Sequence, residues 1–183
     1  TAAKGQPVKA APRAWPELVK VTPSSIEVKL VREESAAKKF VYRSEGFEYT
    51  SQGKLLPRLI SEVATTLEAT KKLMNELPWG IVCRPPDGME LYQAALYETR
   101  DEYIRAGGPT NSGGVYMSGE KIFKIPFEGL GIKSLGKSYT KDENYSSDTL
   151  VHEITHQMMH DVLPYLPMWA IEGSAEYAEL LPY

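Results

Sequence analysis

Cysteine is nearly missing from this chain: Cys83 stands alone among 183 residues. An internal disulfide is therefore excluded, and cysteine usage reports no redox compartment. Lying in the apolar string Ile81-Val82-Cys83, this residue is expected to act as a small buried hydrophobe. No apolar run approaches the ~20 residues that cross a bilayer, which speaks against a membrane-spanning helix. Basic residues are not in surplus either, since the formal net charge is -3. A nucleic-acid partner, which needs a concentrated cationic face, is not expected. Histidine is scarce as well, with three in all. All of them fall between positions 152 and 160.

What remains is the balance of a globular domain. Hydrophobic residues make up 42% and charged residues 25%, enough to build one core at this length but not two. The opening TAAKGQPVKAAPRAWP offers Ala, Pro and Lys and little to bury. Residues 1–20 read as a flexible tether and 21–183 as a single domain. A processed protein, exported or held at the cell envelope, is the expected setting.

Periodicity then divides the domain. Ile26 to Val31 alternates apolar and polar, as a half-buried strand does, and the aromatic stretch Phe40 to Tyr49 predicts one or two more strands. From Leu55 to Leu77 the spacing becomes helical: Leu56, Ile60, Val63, Leu67 and Met74 recur on one face, with Pro57 in the first turn and Pro78 as the stop. Met89 to Tyr97 predicts a strand. Thr99 to Glu102 has the form of a capping box opening a short helix that ends at Gly107-Gly108. Val115–Met117 and Lys121–Ile125 predict a hairpin through Ser118-Gly119. Pro126 suggests that the second of these is an edge strand, able to take an extended peptide along Lys121, Ile122, Phe123, Lys124 and Ile125. Residues 127–147 are expected to form a long polar loop. Two helices, near 148–160 and 168–180, close the chain. The order predicts an α+β fold: a small mixed or antiparallel sheet with a long helix packed on it, followed by the two helices.

The stretch Gly131 to Ser138 satisfies the phosphate-loop pattern G-x-x-x-x-G-K-[ST]. That loop works only where a helix N-terminus follows it. The residues after Ser138 have no apolar helical face, so no nucleotide is expected.

The histidines carry a stronger signal. His152-Glu153-Ile154-Thr155-His156 is H-E-x-x-H. On a helix, residues four apart share a face, with Cβ atoms about 5–6 Å apart. Two imidazoles so placed can hold one zinc ion, and Glu153 beside them can reach a water on it without ligating it. His160 is unsuited as third ligand, because a rise of about 1.5 Å per residue sets it about 12 Å along the axis from His152. The next helix is better placed. Pro164 and Pro167 let it fold back, Glu172 and Glu176 share one of its faces, and Gly173 and Ala175 permit close approach. One of these carboxylates can bind the metal while the other accepts the N–H of a ligand histidine.

H-E-x-x-H followed by Trp169 and Glu172-Gly173-Ser174-Ala175-Glu176-Tyr177 resembles the gluzincin zinc peptidases. The wider pattern, Leu96 to Tyr103 followed by Gly-Gly and Gly-Val-Tyr, is similar to bacterial peptidases of undefined substrate. The resemblance implies a zincin-like fold, zinc held by His152, His156 and Glu172, Glu176 as outer partner of a ligand, and Glu153 as general base. It implies hydrolysis of a polypeptide substrate. Gluzincins usually continue into a helical subdomain that walls the cleft and often donates a Tyr or His to the transition state. The present chain stops eleven residues after Glu172, so a fragment, or a donor from elsewhere, is expected. The alternative is a non-catalytic module in which zinc ties two helices together.

Overall fold

The structure, a computed structural model, describes residues 26–136 and 138–181, together with Ala14 and Glu17. The tether expected over residues 1–20 otherwise lies outside the described residues, as does Lys137.

The fold is α+β, built on a mixed six-stranded sheet. Its strands are β1 (Lys29–Glu34), β2 (Lys39–Arg43), β3 (Phe47–Ser51), β4 (Tyr92–Tyr97), β5 (Val115–Met117) and β6 (Ile122–Pro126), in the order β1-β2-β3-β4-β6-β5. The first three run antiparallel. β3, β4 and β6 are mutually parallel because a helical crossover separates each from the next, and β5 returns antiparallel at the far edge.

Helix α1 (Pro57–Glu76) is the first crossover. Pro57 occupies its opening position, where the missing N–H would have had no helical partner anyway. Its end comes at Leu77, held extended before Pro78. Ile60, Val63, Ala64, Leu67 and Met74 are buried at helical spacing, whereas Leu56 is the exposed N-cap. That face packs on rows of side chains defined by the sheet register. Tyr49, Ala94 and Phe123 form one row and Ser51, Leu96 and Ile125 the next, all at most 1% exposed. Helix α2 (Arg100–Arg105) begins at Thr99, whose hydroxyl accepts from the Glu102 backbone N–H.

The chain closes with α3 (Asp148–Met158) and α4 (Met168–Glu179). Val151 and Ile154 of α3 are fully buried between α1 and the β5–β6 end of the sheet. Truncating such a residue as Ile154 to Ala costs about 2–5 kcal/mol, so α3 is firmly seated.

Three local expectations are corrected. First, the strand expected over Ile26 to Val31 runs instead over Lys29–Glu34 and is exposed along its whole length, Leu30 and Val31 included, whereas Ile26 and Val28 before it pack partly against the core. It is an edge strand, guarded by Lys29, Arg32, Glu33 and Glu34 and by an irregularity between Leu30 and Arg32. Second, Lys121–Ile125 is not at an edge. β6 lies between β4 and β5, and Phe123 and Ile125 are fully buried. Lys124 is only 5% exposed, with Nζ donating to the Ala106 carbonyl at 2.7 Å. Pro126 is tolerated because it is the last residue of its strand. Third, the expected loop over 127–147 contains a hairpin, β7 (Ile132–Leu135) with β8 (Ser138–Lys141). The phosphate-loop pattern falls on that hairpin, with Gly136 in a left-handed turn position, so no helix N-terminus follows the turn.

Candidate metal centre

α3 presents two faces. Leu150, Val151, Ile154 and Met158 are buried against the core, and Gln157 ties the helix to β4 by donating to the Gln93 carbonyl at 3.0 Å. His152 and His156 lie on the other face, their rings 4.9 Å apart and near perpendicular. The helix starts at Ser147, where Ser146 Oγ accepts from the Asp148 N–H at 3.3 Å. Asp148 in the first turn complements the positive end of the helix.

α4 folds back against α3, as the two prolines allow. Glu172 Oε2 lies 3.3 Å from His152 Nε2 and 3.6 Å from His156 Nε2. The three donor atoms all fall within 4.8 Å of one another. Bonds of about 2.0–2.1 Å to one tetrahedral ion put its ligands about 3.3–3.4 Å apart. The donor chemistry therefore suits a metal ion, and the two distances from Glu172 lie close to that spacing. Burial depresses the His156 pKa, outweighing the nearby Glu172 carboxylate. Its imidazole is thus favoured in the neutral form, the form that binds metal.

The outer partner differs from the one expected. Glu176 is exposed, whereas Glu179 Oε2 lies 3.1 Å from His152 Nδ1. Helical geometry explains the choice: seven residues make nearly two full turns, so Glu179 falls within about 20° of Glu172, while Glu176 is rotated about 40° the other way. A seven-residue spacing was the signal that could have found it. His156 Nδ1 is buried without a hydrogen-bond partner among the described residues.

Glu153 projects beside this cluster towards β5, where its Oε2 accepts the Tyr116 backbone N–H at 3.1 Å. Burial pushes its carboxyl above the ordinary carboxylate range, opposed by that N–H and by His152. Tyr116 was not foreseen. Its phenol also pairs with His160 Nδ1 at 2.7 Å. His160 thus lies just beyond α3 and outside the three-residue cluster, where it holds the edge strand rather than a carboxylate. The edge expected at Lys121, Ile122, Phe123, Lys124 and Ile125 is instead provided by Val115–Met117, beside Glu153.

No protein-family model, no curated protein and no solved structure matches the chain. No described helix is long and apolar enough to cross a membrane.

Proposed function

We infer that this chain is a zinc-dependent hydrolase of peptide bonds. Glu153 carries the reading. It is a half-buried carboxylate next to three metal-suited groups, outside the ligand set, and held by one oxygen while the other makes no hydrogen bond among the described residues. A site that only ties helices together has no use for it. His152, His156 and Glu172 would hold the ion, and Glu179 would fix the orientation of His152. Bound zinc supplies a water nucleophile near neutral pH and polarises a carbonyl. Glu153, beside the ligand set but outside it, would serve there as the general base. Among the described residues β5 pairs with β6 alone, so its outer edge can receive an extended polypeptide by strand addition.

A second reading, a zinc-tied structural or binding module, draws support from α4, which buries only Ala175 and Ala178 among its described residues. Turnover separates the two. With zinc bound at one per chain, Glu153→Gln is expected to lower cleavage of a peptide library by about 10²–10⁴-fold, because general-base action contributes that much. Undiminished cleavage in this variant at unchanged zinc content would overturn the hydrolytic reading. No cleavage by the zinc-loaded wild type would favour the structural one.

A further inference from the structure

The face of α4 turned away from the histidines carries an open cavity. Trp169, Ala170, Gly173, Ser174 and Tyr177 line it together with Trp79 from the segment after α1, and it holds about 570 Å³. The Trp79 and Tyr177 rings stand 5.8 Å apart, inclined at 50°, and Trp169 is 79% exposed. Three large aromatic rings therefore surround a floor of small residues.

Gly173 is the informative residue. In the interior of a helix glycine costs roughly 0.5–1 kcal/mol relative to alanine. Packing within the chain does not require it, since a Cβ there would meet nothing within 4 Å. The space a side chain would take is the open slot itself. Helical spacing places Trp169 and Tyr177 four residues to either side of Gly173, so both rings border the opening; Glu176, three residues beyond Gly173, stands on the neighbouring strip of the helix surface, next to the lining rather than in it. Glu172 and Glu179 face His152, and Asp161 is paired with Arg84 at 2.7 Å. Glu176 is exposed and makes no hydrogen bond or ion pair among the described residues.

Charge identifies the occupant. Beyond Lys141 the sequence contains no Lys or Arg, while all three charged residues of α4 are glutamates. Aromatic faces with a carboxylate close by attract an organic cation, and a purely apolar ligand would leave that carboxylate unused. We propose that this slot binds the lysine or arginine side chain of a polypeptide partner, with Trp79, Trp169 and Tyr177 packing on the cation and Glu176 pairing with it. The proposal is independent of the metal and of hydrolysis, because none of the three ligands lines the slot.

The test uses ¹⁵N-labelled full chain and short peptides, acetylated and amidated at their ends, carrying one central lysine or, in its place, the uncharged isostere norleucine. The lysine peptide is expected to shift the indole N–H resonances of Trp79 and Trp169. Trp169→Ala is expected to weaken binding by about 5- to 30-fold, the range of a desolvated cation–aromatic contact. Gly173→Leu, whose Cβ meets nothing within 4 Å and whose side chain would grow into the opening, is expected to abolish binding while helix content is retained. Equal shifts from the norleucine peptide would overturn the proposal, as would absence of indole shifts at millimolar lysine peptide. Indole shifts that arise on concentrating the protein alone would assign the face to a second copy, and would overturn it as well.

Discussion

Tyr116 grips α3 twice: its backbone N–H donates to Glu153 Oε2 at 3.1 Å, and its phenol pairs with His160 Nδ1 at 2.7 Å. One residue of a three-residue edge strand thus ties that strand to both the general-base candidate and the end of its helix. Tyr116→Phe keeps the first contact and removes the second. A lost hydrogen bond of this kind costs about 0.5–1.5 kcal/mol, or a fall in Tm of about 2–4 °C per kcal/mol at this chain length. Thermal unfolding of Tyr116→Phe, His160→Ala and the double variant should show non-additive losses. Strict additivity would disprove the pairing.

Metal binding should divide the histidines. His156→Ala is expected to lose most zinc by dialysis and metal analysis, and His160→Ala to retain it. Zinc at 100 times its Kd should stabilise the wild type by about 2.7 kcal/mol, reversibly with chelator. Equal zinc loss from both variants would contradict the ligand set.

Glu179 and Glu176 offer a sharper comparison. Since Glu179 meets His152 and Glu176 is exposed, Glu179→Gln should weaken zinc binding by about 10–100-fold and Glu176→Gln should leave it within error. The reverse ranking would mean that α4 sits in another rotational setting.

Cys83 should be inert. Burial pushes its thiol up from 9.0 to about 12, outweighing the opposing charge of Lys71. At pH 8 the thiolate is then about 10³-fold scarcer than in an ordinary thiol, and reaction with a disulfide reagent should slow accordingly until the protein unfolds. The folded pKa is raised, so the associated stability is whole below pH 9 and is lost as the pH climbs towards 12. Prompt labelling of the native protein at pH 8 would contradict this.

What was legible in the sequence was local. The stripe from Ile60 to Met74 and the four-residue spacing of His152 and His156 are periodic signals that a helix imposes within a few turns. Thr99 likewise declared its cap through its own hydroxyl. What failed depended on partners distant in sequence. Pro126 suggested an edge, yet strand order places β5 outside β6, and nothing local to Lys121–Ile125 records that. The hairpin at Gly136 was hidden by a phosphate-loop pattern whose residues also suit a turn. Glu179 escaped because the four-residue interval drew attention to Glu176, while the packing of α4 on α3 selects the seven-residue one.

The helices that frame the cluster are unequally anchored. α3 buries Leu150, Val151, Ile154 and Met158, whereas α4 commits only Ala175 and Ala178 to the interior. Native-state hydrogen exchange should therefore find the amides of α4 opening at far lower free energy than those of α3. Because Glu172 rides on the looser helix, a cation meets a complete ligand set only in the fraction of molecules where that helix is docked. The observed affinity is the intrinsic one reduced by that fraction. For a cation held by this cluster, release of the ion and lifting of α4 would be one event, and the protection of α4 amides would rise with cation concentration as a direct gauge of occupancy.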